Sequence, residues 1–191
     1  MNRRELLKMI SAVTGTAMIG GTAIGTSTLL SGCATTAPAT PISLTAADIA
    51  LLDEVAETIL PRTDTPGAKD AEVGKFMAVY VPDCYTLEEQ AVFYKGLSSL
   101  ETSSQKTYNR SFMALSPIER QTFITQLDQE ARVPKSEGES AHYFTMIKQL
   151  TLFGFFTSEV GATQVLRHMP VPGHFDGALP YEEGDRAWAT S

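Results

Sequence analysis

Residues 140–166 read "SAHYFTMIKQLTLFGFFTSEVGATQVL", the most apolar stretch beyond the first 33 residues. Tyr143, Ile147, Leu150 and Phe153 recur at helical spacing as an ordinary core stripe, while Phe144, Leu152, Phe155 and Phe156 fill the other angles. A helix apolar on most of its faces is either central in a bundle or partly covered by another chain. No segment of useful length alternates apolar and polar residues as a half-buried strand does. The fold class is therefore all-α, a small irregular helical bundle.

Upstream of this segment the chain is polar and without period between about Arg132 and Glu139. Before that, "TLEE" (86–89) and "SPIE" (116–119) read as helix starts. Thr86 with Glu89 and Ser116 with Glu119 have the spacing of capping boxes, in which hydroxyl and carboxylate each satisfy the other residue's free amide; Pro117 suits the first helical position. Val92, Phe93, Leu97 and Leu100 form one inward stripe, and Phe123, Ile124 and Leu127 another. Folded structure is expected from Thr45, an N-cap partnered by Asp48, with Ile49, Leu52, Val55, Ala56 and Ile59 inward until Pro61 ends the helix. In "PRTDTPGAKD" (61–70) Pro66 and Gly67 mark a turn, and Asp64 is placed to hold nearby amides. A short helix with Val73, Phe76, Met77 and Tyr80 inward should follow.

Downstream, residues 168–191 form a different kind of segment, a long Pro/Gly-rich C-terminal arm. Pro170, Pro172 and Pro180 with Gly173, Gly177 and Gly184 forbid a long helix or central strand. Structureless stretches beyond about 12 to 15 residues are uncommon in compact domains unless functional or disordered. Disorder does not favour Phe175, Tyr181 and Trp188, so the arm is expected to lie along its own domain or along a partner.

The other end reads "MNRRELLKMI" and then, through some two dozen mild residues, "LLSGCATTAPAT". Arg3 and Arg4 followed by Leu6, Leu7 and Lys8 resemble the twin-arginine signal, which exports folded cargo in bacteria; an ordinary secretory signal is the alternative. Leu30, Ser31, Gly32 and Cys33 resemble a lipoprotein box, with Cys33 as the lipidation candidate, unless cleavage falls after an Ala-x-Ala-like site and removes it. Residues 34–44, small and polar with Pro38 and Pro41, suit a flexible tether. The organisation is thus 1–33 signal, 34–44 tether and 45–191 helical domain, in a protein exported to the periplasm and held near the membrane by an acyl anchor or a complex.

The chain has 15 basic and 22 acidic residues; without Arg3, Arg4, Lys8 and Glu5, 12 and 21 remain, a net charge of −9. Nucleic acid is an unsuitable partner for such a surface. Beyond Cys33 only Cys84 is left, so no disulfide framework, cysteine metal site or haem-attachment motif is present.

Catalytic signatures are missing. "GHFDGALP" lacks the strand and spacing of a dinucleotide loop. His142, His168 and His174 include no i, i+4 pair, and a metal held by His168, His174 and Asp176 is weaker than a reading as surface or interface histidines. Ser116 and Ser158 lack a nucleophile elbow. Cys84 in "PDCYT" precedes a helix start, where a thiolate is favoured, yet a half-buried structural thiol is the plainer reading. Asp53, Glu54, Glu57, Glu88 and Glu89 read as solvated helix faces.

Two blocks carry a resemblance. "ETILPRTDTPGAKDAEVGKFM" (57–77) continuing to "VPDCYTLEEQAVF" (81–93), and "FFTSEVGATQVL" (155–166) with "VPGHFDGALPYEEGDRAWA" (171–189), resemble the small, gamma-type subunit family of membrane-bound gluconate and sugar dehydrogenases, gluconate 2-dehydrogenase subunit 3. The resemblance covers nearly all of Thr45–Ala189 and is most specific at Thr63–Ala68, Asp83–Tyr85, Thr157–Thr163 and Pro172–Gly177. It implies a non-catalytic subunit that helps a large flavoprotein of the glucose-methanol-choline type mature and cross the membrane folded. FAD would sit in that large subunit and haem c in a cytochrome partner; this chain would hold no cofactor and no metal. The implied interface uses Phe155, Phe156, Thr157 and Glu159 on the helix and Pro172, Gly173, Phe175, Asp176, Gly177 and Trp188 on the arm. Ala178 stands where many of the family have a cysteine, so a disulfide to the large subunit from that position is excluded. The alternative from another class is a free-standing periplasmic lipoprotein that binds a small ligand in a helical bundle.

Overall fold

The computed structural model describes residues 43–133 and 142–190. The export-signal positions Arg3, Arg4, Leu6, Leu7 and Lys8, the lipidation candidate Cys33, most of the tether and the polar stretch 134–141 lie outside the described residues. Among the described residues five α-helices run in chain order: α1 Ala46–Ile59, α2 Val73–Cys84, α3 Leu87–Tyr108, α4 Pro117–Ala131 and α5 Tyr143–Thr157. Their starts are set locally. Thr45 with Asp48, Thr86 with Glu89 and Ser116 with Glu119 all form reciprocal capping boxes. The Ser116 amide and hydroxyl, with Arg110 beside them, hold the Glu119 carboxyl below the usual carboxylate range. α3 ends on Asn109 in the left-handed region (φ 55°), a conformation asparagine tolerates better than most residues.

α5 is the central helix, packed against each of α1, α2, α3 and α4. Phe144, Met146, Ile147, Leu150 and Phe155 on it are buried among Leu52 and Val55 of α1, Val73 and Met77 of α2, Phe93, Leu97 and Leu100 of α3, and Phe123, Ile124 and Leu127 of α4. α3 comes close to α5 at Gly96, where any Cβ would overlap the Tyr143 side chain. Burial there pushes the Tyr143 phenol up to about 12, with Glu130 adding to the effect. Lys148 of α5 donates to Asp128 of α4 at 2.6 Å and ties the two helices. No described helix is long and apolar enough to cross a membrane.

Four expectations are corrected. Asp53, Glu54 and Glu57 are not merely solvated. The Asp53 carboxylate accepts from the Gly74 amide at 2.7 Å, and Glu57 accepts from the amides of Arg62 and Lys69 at 2.9 Å each. Glu54 pairs with both Lys69 and Arg120, its side chain 16% exposed. One face of α1 therefore fastens the 61–72 loop and the start of α4. The loop amides are held by Glu57 and by Asp70, which accepts from Gly67 at 2.8 Å, in place of Asp64. Cys84 is the last residue of α2 and is exposed, so the reading of a half-buried thiol fails. Finally, two three-residue strands exist: β1 Arg167–Met169 and β2 Trp188–Thr190, paired in parallel.

Candidate partner interface

The strands form the neck of a loop, Pro170–Ala187, that leaves the helical body and returns to it. The path to the neck is fixed by Ser158, which ends α5. Its hydroxyl donates to the Phe155 carbonyl at 2.7 Å and accepts from the Gly161 amide at 3.0 Å. A π-turn over Gly161–Val165 then delivers β1.

Side chains reinforce the neck. The Arg167 guanidinium lies 4.4 Å from the centroid of the Trp188 ring and also pairs with Asp185 at 3.1 Å. Arg186 donates to the Gln164 carbonyl at 2.9 Å. Within the loop Asp176 accepts from the Ala178 amide at 2.9 Å, Asp185 accepts from the Glu182 amide at 3.1 Å, and Gly173 takes φ 78°, open to glycine at no steric cost. The loop's polar groups thus shape it from within, while its apolar side chains point away. Phe175 is 95% exposed, and Val171, Leu179 and Tyr181 are also exposed. From Val171 to Trp188 every residue is exposed, so the arm does not lie along its own domain.

A second apolar surface lies on α2 and α5. Phe76, Tyr80 and Phe153 cluster with ring centroids 5.2 to 5.7 Å apart, Phe153 edge-on to the other two, and Tyr85 extends the group edge-on at 5.9 Å from Tyr80. Phe153 is 46% exposed, and Val79, Leu152 and Phe156 are exposed as well. Phe153, expected in the core, is therefore on the surface. Phe155, expected as a partner anchor, is core at 2% exposure. The helix is apolar at almost every angle, so periodicity could not set its phase; two residues of helix turn the direction by about 200°. Phe156, Thr157 and Glu159 are exposed, although the Thr157 hydroxyl is used on the Phe153 carbonyl at 2.7 Å. Pro172, Gly173, Phe175, Asp176 and Gly177 share the exposed loop, and Trp188 sits at its neck. Val79 was missed, since no motif marks it.

No group of three or more His, Cys, Asp or Glu among the described residues is arranged to hold a metal. A cleft of about 1050 Å³ runs along the outside of α1 and α3, lined by Leu44, Leu51, Tyr94, Leu97, Glu101 and Met113 among others. The Tyr94 hydroxyl is buried and has no hydrogen-bond partner among the described residues.

These features define a small all-α protein whose conspicuous surface is exposed apolar side chains on one helical face and one presented loop. The chain belongs to the gluconate 2-dehydrogenase subunit 3 family, whose family model matches residues 46–173. The match runs from α1 to the first turn of the loop and stops before Phe175. Comparisons with curated proteins and with solved structures gave no match. The family is that of a small subunit of a dehydrogenase complex.

Proposed function

We propose that this chain is the non-catalytic small subunit and export escort of a periplasmic or membrane-bound, FAD-dependent dehydrogenase acting on a sugar, gluconate or a polyol. The observation that carries the reading is the Pro170–Ala187 loop, pinned at its neck yet holding Phe175, Leu179 and Tyr181 in water. A fully exposed large apolar side chain forgoes roughly 1.5–3 kcal/mol relative to burial, and a rigidly presented one is suited to fill a partner's pocket. Family membership supports a dehydrogenase subunit as that partner. In this reading FAD is held by a large subunit of the glucose-methanol-choline type, and a cytochrome c subunit takes the electrons.

The signal fits the same reading. Arg3 and Arg4 with Leu6, Leu7 and Lys8 resemble the address of a pathway for folded cargo, and a partner that binds FAD before export would be such cargo. Acylation of Cys33 would hold the exported complex at the membrane. Coexpression with the flavoprotein is expected to yield a copurifying complex with a flavin absorbance spectrum and dye-reducing activity. A stable monomer that never copurifies with flavin sinks the reading. Replacing Arg3 and Arg4 by Lys should leave both subunits in the cytoplasm; export of the flavoprotein by the variant would remove the escort role.

One observation favours the second reading, a free-standing ligand-binding lipoprotein: the cleft lined in part by Tyr94, whose hydroxyl has no hydrogen-bond partner among the described residues. Native mass spectrometry of the chain purified alone decides it, because a retained small molecule lost in Tyr94→Phe supports ligand binding and a bare mass counts against it.

A further inference from the structure

The β1–β2 pair is a parallel ladder of two strands, with Arg167 and Ala189 half-buried and its other four residues exposed. Parallel strands occur almost only in sheets covered on both faces, and even a two-stranded hairpin is marginal in water. The ladder therefore has the form of part of a sheet. Its register shows which groups are spare. Arg167 N–H donates to the Ala187 carbonyl at 2.8 Å, and the alternation of a parallel ladder turns the N–H and C=O of Trp188 and Thr190 to the open side of β2. Neither N–H has a partner among the described residues.

The two open edges differ. β1 offers the main-chain groups of His168 and is followed at once by Pro170, the residue type that blunts sheet edges. β2 is approached through Arg186 and Ala187 and has neither proline nor lysine to discourage pairing. The loop that β2 closes is acidic: Asp176, Glu182 and Glu183 are exposed, whereas Arg167 and Arg186 are occupied by Asp185 and Gln164.

We propose that β2 receives one extended segment of the catalytic subunit as a third strand, hydrogen-bonded to the main chain of Trp188 and Thr190. This mode of recognition, strand addition at an open edge, draws affinity from the backbone and specificity from flanking side chains. The proposal rests on the reading that this chain pairs with such a subunit. Charge complementarity sets the segment's chemistry: it is flanked by Lys or Arg, facing the carboxylates of the loop.

The test uses the full chain, free and coexpressed with the FAD-dependent subunit. Amide hydrogen exchange at Trp188 and Thr190 is expected to be fast in the free chain and strongly slowed in the complex. Thr190→Pro removes an outward N–H without touching the bond to β1, and should weaken the complex about tenfold at unchanged melting temperature. Thr190→Val, which keeps the N–H, should bind as the parent does. If the complex forms but the two amides exchange as fast as before, strand addition is overturned and the subunit reading stands. Absence of any complex overturns both. Slow exchange in the free chain, with a dimer on sizing, shows a second copy on the edge and equally overturns the proposal.

Discussion

Phe93 and Phe175 are the same side chain in opposite circumstances. Phe93 sits in the wall of α3 with 0% exposure, surrounded by residues of several helices, whereas Phe175 stands on its loop at 95% exposure. The polar groups around them are reversed as well. In the body, carboxylates reach across sequence: Glu54 to Arg120, Asp53 to Gly74, Asp128 to Lys148. In the loop Asp176 reaches only to Ala178, Asp185 reaches the Glu182 amide and Arg167 at the neck, and Arg186 holds the neck from the other side. The body uses apolar area for stability and polar contacts to fix the arrangement. The loop uses polar contacts to hold its shape and keeps its apolar area available. The loop's apolar side chains thus add nothing to the core of their own domain.

The contrast can be broken at several points. Phe93→Ala should cost about 3–5 kcal/mol in a denaturant or thermal unfolding experiment, because a large buried side chain leaves a cavity that the surrounding helices cannot fill. Glu54→Ala should cost about 2 kcal/mol, since it leaves the Arg120 charge, its side chain 15% exposed, with only the Phe112 and Met113 carbonyls as partners, and frees Lys69. Phe175→Ser is the sharpest discriminator: melting is expected to stay within about 0.5 kcal/mol of the parent, while the copurifying complex weakens by about 2 kcal/mol. A lowered melting temperature in Phe175→Ser would mean that the loop packs on the body after all.

Asp128 gives a smaller effect with a definite sign. The hydrogen bond from Lys148, with help from Arg132, holds its carboxyl below the usual carboxylate range. A depressed carboxyl adds stability above its ordinary value, and that stability is lost as pH falls toward the lowered one. Acid unfolding of Asp128→Asn should lack that part of the slope, with a loss of up to about 1 kcal/mol at neutral pH. Least of all, alkylation of the exposed Cys84 should go to completion on the folded chain and move the melting temperature very little. Protection of Cys84 in the complex would extend the interface to the end of α2.

What could be read in advance was local. Capping boxes at Thr45, Thr86 and Ser116 are complete within four residues, so the sequence displays them directly. The stripes on α3 and α4 are flanked by polar residues, which sets their phase. On α5 polar residues are too few to do so, and Phe153 and Phe155 exchanged roles. The Glu54 pairings were illegible for another reason: Arg120 is 66 residues away, and an exposed acid looks the same in sequence as one about to be covered. The three-residue strands have no period to detect, and their support comes from an arginine and a tryptophan 21 positions apart.

The parallel sense of the β1–β2 neck has a consequence for how this chain can vary. Two antiparallel strands could be joined by two residues, so a hairpin at this place could be trimmed away by successive deletions. Parallel strands start at the same end, and the chain leaving Met169 must travel back alongside the pair before entering Trp188, a crossing that takes a dozen residues or more. The topology thus sets a floor on length. Whatever substitutions accumulate along this excursion, deletion cannot shrink it to a tight turn while the neck survives, and a protruding arm is inherited with the fold.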